Sequence, residues 1–496
     1  MDKKTIIIGG GVGGLCSGIR LLSKGYTVTL LEKNEKLGGK INIIENSQFK
    51  FDLTASVVMT PKIYTDIFND VGKNYKDYFK LHKLDPIYKV FYHDKTCYNY
   101  YSDTNKMINE LESLEKGLSA DFYKFLSKSY EKYFISKDKI LNQPMINLKE
   151  IINLSFIKSM CKINPLPSTY KYLNKLISNE KLKNYLLFTS MYIGVNPYIN
   201  SNIYTLIPAI SHLYGLWYID GGLYEYIKAL EKLFVDLGGE IVTNREVKKI
   251  LIEDNEIKGV KVKNEVISCN LVICNADYPY VINNLLDDEL SEGKYAKSNL
   301  TNIDYSCSVF ILYLGLDKIY TNLSVHNIYI SKDFRSSIEG PFNGKISSDP
   351  SLYIYYPGSI DHTFRTNNHS SMNIMLRVPN LSFNSIKYDD NQIRKVKKYI
   401  LSNLKNIKGL EDVENHILYE NYLTPLDLKN KFNLYYGNAF GISHKISQSA
   451  YFRPHLKSKK VKGLYFINSS THPGNGASVV IDGSKVLCEV IENNKK

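Results

Sequence analysis

Gly9, Gly11 and Gly14 fall at the spacing G-x-G-x-x-G, with Gly10 and Gly13 inside the same turn. Each spaced glycine meets a separate need: a tight turn, close approach of backbone to a pyrophosphate, and close packing of helix on strand. Glu32 stands eighteen residues after Gly14. A carboxylate at that distance accepts hydrogen bonds from ribose hydroxyls. These residues point to dinucleotide binding. The competing reading is a glycine turn in an unrelated strand–helix–strand unit.

Such residues work only if a strand, a helix and a second strand present them. Residues 5–8 are a short β-branched run, suited to a buried parallel strand. Val12, Leu15, Ile19 and Leu22 then repeat at helical spacing, Lys24 sits in the last turn, and Gly25 ends the helix. The start of that helix turns free N–H groups toward phosphates. Residues 27–31 read as the second strand and deliver Glu32 at its end.

The chain has 496 residues, long for one compact core, so two or more lobes are expected. With 44% hydrophobic and 23% charged residues, the composition is that of an ordinary globular protein and excludes a disordered one. No repeat or low-complexity tract interrupts it. The formal net charge of +13 suits an anionic membrane surface or nucleic acid. Without a helix-turn-helix pattern or zinc-ligand spacing, the membrane surface is favoured over nucleic acid, against a plain reading as solubility charge. Seven scattered Cys without a C-x-x-C argue for reduced thiols and against a disulfide framework or metal site. The N-terminus lacks the features of a signal peptide, and no run of about 18 apolar residues predicts a spanning helix.

After Glu32 the chain continues Lys33-Asn34-Glu35-Lys36-Leu37-Gly38-Gly39-Lys40. This resembles the extended signature of the flavin amine-oxidase and carotenoid-desaturase group, where Gly-Gly precedes a basic residue near the FAD phosphates. The usual Arg is Lys40 here, a point charge without the bidentate fork. Phe51-Asp52-Leu53-Thr54-Ala55-Ser56 stands where the group has Phe-Asp-x-Gly-Pro. Residues 217–223 open a helix closed by Gly238-Gly239; strand-like runs follow at 240–243, 249–253, 257–262 and 271–274. That order is similar to the second half of the group's FAD domain, where the backbone at the position of Val247 contacts adenine. Taken alone, Val247 reads as a core strand residue.

Near the C-terminus, Gln448-Ser449-Ala450-Tyr451-Phe452-Arg453-Pro454-His455 resembles a stretch of bacterial phytoene and dehydrosqualene desaturases. Asn468-Ser469-Ser470-Thr471-His472-Pro473-Gly474-Asn475-Gly476 matches their flavin turn. Asn468 and Ser469 replace small residues there, and Ser478-Val479 replaces a Pro-Gly beside the isoalloxazine. With Tyr435-Tyr436-Gly437-Asn438-Ala439-Phe440 the resemblance runs from end to end. It implies FAD bound by Gly9, Gly11, Gly13, Gly14, Glu32, Lys33, Gly39, Lys40, Val247, Thr471, His472, Pro473, Gly474 and Gly476. His472 also reads as a residue that structures its turn through backbone hydrogen bonds.

The implied fold class is α/β: a discontinuous Rossmann-type, glutathione-reductase-like FAD-binding domain with a mixed helical and antiparallel-sheet substrate domain. Residues 1–80, 216–290 and 441–496 are assigned to the first, and 81–215 and 291–440 to the second. Residues 184–219 hold no Asp, Glu, Lys or Arg over 36 positions. Pro and Gly break the stretch, so it fits either the lining of an apolar cavity or ordinary helical core. Residues 121–140 place Lys124, Lys128 and Lys132 apart from Phe122, Phe125, Leu126, Tyr130, Tyr133 and Phe134. That helix could rest on an anionic bilayer or be a plain solvated amphipathic helix.

The expected activity is removal of hydrogen from a long isoprenoid or polyene hydrocarbon, with hydride passing to FAD. A quinone or oxygen is the expected acceptor of the electrons, since no second glycine motif serves a nicotinamide. The expected location is cytoplasmic, peripheral to the inner face of the cell membrane. No catalytic base is identified. The rivals are a polyene cis–trans isomerase, an amine oxidase and a non-enzymatic prenyl-lipid carrier.

Overall fold

The computed structural model describes residues 4–54, 56–291, 293–366 and 368–494. Five parallel strands form the first sheet, in the order Glu240–Val242, Thr27–Leu31, Lys4–Ile8, Leu271–Cys274, Leu464–Phe466. They come from three distant parts of the chain. Parallel strands buried on both faces need apolar side chains on both, and the first strand has them. Ile7 points to a layer of helices, while Ile6 and Ile8 point the opposite way. The helix layer holds Val12–Leu22, Tyr224–Asp236 and Ala477–Asn493. An antiparallel meander, Val247–Glu253, Glu256–Val262 and Glu265–Ser268, covers the other face. The result is three layers, with the ends of the strands open toward the second lobe.

An eight-stranded mixed sheet organises that second lobe. Its main order is Ile417–Leu423, Ser308–Leu316, His369–Val378, Leu352–Tyr355, His326–Ile330, Tyr88–Tyr92, Cys97–Tyr100. Alternation along these strands separates two environments. Phe310, Leu312, Leu314, Ile374 and Leu376 pack with Ile393, Val396 and Ile400 of the helix Asp390–Leu404. The opposite side of the same strands carries Val309, Met375, Arg377 and Tyr353, which line a cavity. Val309 pairs with Arg377, and Tyr353 with Met375, so these four side chains share one patch of sheet.

One open reading is decided here and one placement changes. Most of the uncharged stretch 184–219 is core: Tyr185, Leu186, Leu187, Phe188, Ala209 and Leu216 are buried in one cluster with Tyr88 and Phe122. Only Tyr192 and Ile193 from it reach the cavity. Charge is absent there because burial excludes it.

The helix predicted over 121–140 spans Leu118–Ser136, and Lys132 is not on its solvated side. Eight residues make slightly more than two turns, so Lys132 is rotated by about 80° from Lys124. It is buried, lies 3.4 Å above the Tyr172 ring and donates to Asn202 Oδ1. Burial pushes its ammonium down to about 8.

Candidate functional site

One cavity lies between the ends of the parallel strands and the large sheet. Gly9, Gly11, Gly13, Glu32, Lys33, Gly39, Lys40, Val247 and Gly476 all line it. The glycine turn works sterically. A Cβ on Gly11 would stand 2.6 Å from Asn275 Oδ1, and one on Gly14 only 2.3 Å from the Gly9 carbonyl oxygen. Gly14 therefore sits behind the cavity, where it lets the helix pack on its strand.

Two helix starts converge on this space. Val12–Leu22 begins after Gly11 and Ala477–Asn493 begins after Gly476, and neither N-cap offers a side chain to the free N–H groups. Helix starts left open in this way carry partial positive charge. A buried pyrophosphate requires that arrangement.

Glu32 is buried at the end of its strand. Its Oε2 accepts from the Gly10 N–H at 2.7 Å and its Oε1 from the Asn34 N–H at 2.8 Å. The side chain is thus fixed, and lone pairs on its oxygens remain for ribose hydroxyls. Lys40 is half-buried, and its Nζ donates to the Ala439 carbonyl at 2.8 Å. Burial pushes the ammonium down to about 8, partly offset by Asp277. Asp277 accepts from Ser470 Oγ at 2.6 Å and from the Tyr435 N–H at 3.1 Å. An anion beside Lys40 would raise its ammonium again. Thr54 occupies the position of the expected glycine and donates from Oγ1 to the Lys40 carbonyl at 2.7 Å, which ties the two motifs together. Ala55 lies outside the described residues.

Thr471, His472, Pro473 and Gly474 do not line the cavity; they build the turn behind it. Thr471 Oγ1 donates to the Asn468 carbonyl at 3.1 Å, the His472 N–H donates to the Pro454 carbonyl at 2.8 Å, and His472 Nε2 meets the Gln143 carbonyl at 2.8 Å. Pro473 packs where a Cβ on Gly483 would come within 2.8 Å. The turn brings Asn475, Gly476, Ala477 and Ser478 to the cavity wall instead. Arg453, buried, holds this turn by donating to the carbonyls of Ile442, Ser443, Gln448, Ser469 and Thr471. The Gln-Ser-Ala-Tyr-Phe-Arg-Pro-His motif is therefore a brace.

Part of the cavity wall is apolar and aromatic, formed by Val57, Met59, Ile193, Val309, Met375 and Phe440. Polar groups there are few. Ser56, Tyr192, Tyr353 and Arg377 face the cavity, and of these only Ser56 falls in a stretch matched to a flavin motif. Tyr353 Oη lies 2.8 Å from Ser56 Oγ and 2.7 Å from His326 Nδ1. Burial pushes the His326 imidazole down to about 3. The sequence signal for Arg377 is a lone charge in the otherwise uncharged strand His369–Val378. No group of three or more His, Cys, Asp or Glu among the described residues is placed to hold a metal.

Fold and cavity together define a flavin-dependent oxidoreductase. The family of flavin-containing amine oxidoreductases matches over residues 12–483, and the chain belongs to that family. Among curated relatives it is 32% identical over 489 residues to 4,4'-diapophytoene desaturase (4,4'-diaponeurosporene-forming) of Staphylococcus haemolyticus, covering 98% of each chain. It is 33% identical over 491 residues to the enzyme of that name from Staphylococcus aureus, again covering 98% of each. Cyclohexylamine oxidase from Brevibacterium oxydans shares the fold, with a TM-score of 0.63 at 11% identity over all of both chains. The cofactor is FAD, and the glycine cradle, the two open helix starts, Glu32 and Lys40 fit it.

Proposed function

We propose that the protein desaturates a long isoprenoid hydrocarbon of the phytoene or diapophytoene type. The observation that carries this reading is the apolar, aromatic part of a cavity continuous with the cofactor cradle. A hydrocarbon offers no hydrogen bonds, so its site is made from shape and apolar area. The aligned diapophytoene desaturases support the same substrate class.

When bound, FAD takes up the hydride equivalent removed from the substrate. The protein's part is to exclude water, orient the chain and move one proton. As a hydride leaves one carbon, the neighbouring C–H becomes strongly acidic. Tyr353 Oη accepts that proton while its own proton passes to His326 Nδ1. Ser56 keeps the phenol oriented. An imidazole held neutral by burial is free to accept, and a weak base suffices for so acidic a proton.

The cofactor work belongs to residues 1–80, 216–290 and 441–496, and the substrate work to 81–215 and 291–440. Substrate enters from a membrane surface at the inner face of the cell membrane, and a quinone or oxygen removes the electrons. Leu148, Ile152, Leu154, Ile157 and Leu166 are each 47–78% exposed on consecutive short helices and loops. Lys149 and Lys158 stand exposed among them. Such a mixture suits peripheral contact with an anionic bilayer. No helix among the described residues is long and apolar enough to cross one.

The test is co-expression in a carotenoid-free bacterium supplying a C30 or a C40 colourless precursor, with extracts read by absorbance and mass. New products lighter by pairs of hydrogens are expected. Products of unchanged mass would replace desaturation by isomerisation. No polyene product from protein confirmed to hold FAD would overturn the hydrocarbon reading.

A further inference from the structure

Arg377 presents an electrostatic problem that a hydrocarbon cannot resolve. It is 7% exposed and lies in the cavity wall. Its Nε and Nη1 have no hydrogen-bond partner. No carboxylate pairs with it among the described residues. Its electrostatic neighbours are the Cys307 thiol and the phenols of Tyr192 and Tyr353. Burial pushes all three up, Cys307 to about 12 and the two phenols well above their ordinary value, so none supplies a negative charge near neutral pH. The remaining partner is the Phe440 ring, 5.3 Å from the guanidinium carbon. A ring face offsets only part of the cost of taking a cation out of water.

The other cation lining the cavity differs. Lys40 has a carbonyl at 2.8 Å and Asp277 as an electrostatic partner. The two cations approach the same short segment, Lys40 at Ala439 and Arg377 at Phe440. Lys40 is the provided charge and Arg377 the unprovided one. A neutral polyene would gain nothing from Arg377, and a carbocation would be repelled by it. The charge must serve something anionic that the cavity holds for part of the cycle.

We propose that Arg377 is the counter-charge for the reduced flavin and raises its reduction potential. This rests on the hydride-transfer reading given above. In that step one substrate C–H bond breaks and its electron pair and hydrogen pass to the flavin. The flavin ring gains one N–H bond and one negative charge. The neighbouring carbon loses its proton to Tyr353, a carbon–carbon double bond forms, and substrate leaves neutral. The only new negative charge resides on the cofactor, in the cavity that Arg377 faces. A guanidinium fixed there before reduction stabilises that charge without reorganising. The same charge discourages a free carbocation, so loss of hydride and proton is held close to concerted.

The experiment is a redox titration of purified, FAD-loaded protein without substrate, comparing wild type with Arg377→Met and Arg377→Lys. Arg377→Met is expected to shift the reduced-to-oxidised ratio at fixed potential by at least tenfold toward oxidised, or about 30 mV for a two-electron couple. Arg377→Lys keeps the charge and is expected to stay within threefold of wild type. An unchanged ratio in Arg377→Met, or equal shifts in both variants, would overturn the assignment. If Arg377→Met does not fold, Arg377→Gln takes its place with the same expectation. The readout needs no substrate: failure to find a polyene product would leave it intact, and an unchanged potential would leave desaturation standing.

Discussion

The glycine turn and the tyrosine relay depend on single atoms, so single substitutions test them. Gly11 has no room for a side chain, with Asn275 Oδ1 2.6 Å from where a Cβ would stand. Gly11→Val is predicted to abolish flavin retention, read as loss of bound-flavin absorbance after gel filtration; full occupancy would refute this placement of the pyrophosphate. Tyr353→Phe keeps the ring and removes the atom that links Ser56 to His326. It is predicted to lower the rate of product formation by roughly 10²-fold, in the range of general acid–base contributions, with FAD occupancy unchanged. An unaltered rate would show that the proton leaves by another route. Both sites were differently visible in sequence. Gly11 belongs to a spaced motif, whereas Tyr353 and Ser56 lie 297 positions apart and meet only because two lobes close on one cavity.

Elements whose apolar spacing matches one face were legible from sequence, and those whose role depends on a neighbour were not. The strand at residues 5–8 and the helix carrying Val12, Leu15 and Ile19 appear where the spacing places them. The first helix is 11 residues long and packs on the C-terminal helix, where Arg20 meets Ser484, 464 positions away, a partner that no local pattern identifies. Lys132 shows the limit clearly. Its i+8 spacing from Lys124 suggests a shared solvated face, yet rotation carries it inward to Asn202 and Tyr172. Thr471 to Gly474 were legible as a motif, but the side of the turn that meets the cavity was not. Exposed apolar side chains stand on the helix Leu118–Ser136, at Tyr130 and Phe134, and also on Leu154–Ile163, which the sequence reading did not single out. Leu154 and Ile157 are 67% and 47% exposed on that shorter helix. The double variant Leu154→Ser/Ile157→Ser is predicted to weaken binding to phosphatidylglycerol-containing vesicles by at least tenfold in a flotation assay. Removing two large apolar contacts costs about 2 kcal/mol or more. Unchanged flotation would remove this helix from the proposed membrane contact.

At the scale of the whole molecule, burying so many polar groups makes the fold sensitive to acid. His212, His326, His444 and His472 are enclosed, and burial pushes each of their imidazoles below its ordinary value, to about 4 or lower for the first two and the last. Asp52 and Asp277 are enclosed too, and burial raises both carboxyls, Asp52 to about 7. The two sets act in opposite directions. Between about pH 6 and 4.5 the unfolded chain carries protons on the four histidines that the folded chain excludes. Over the same range the folded chain keeps a proton on Asp52 that the unfolded chain has released, and burial pushes Asp277 in the same direction. The four enclosed histidines outnumber the two aspartates, so the unfolded state binds more protons. Stability therefore falls as pH falls. The loss begins as pH drops through the ordinary histidine value of about 6.5 and continues toward the depressed folded values. We predict a lower melting temperature at pH 5 than at pH 7, in both cofactor-free and FAD-loaded protein. His212→Phe should flatten the slope by up to one proton's share, since its Nε2 meets the Tyr185 hydroxyl and its Nδ1 the Tyr101 carbonyl inside the lobe. A melting temperature that rises on acidification would show the aspartates outweighing the histidines. The enclosed imidazole of His326, proposed to receive the substrate's proton, belongs to the same set. Neutrality inside the fold is what leaves it free to do so, and the same neutrality is part of the cost in acid.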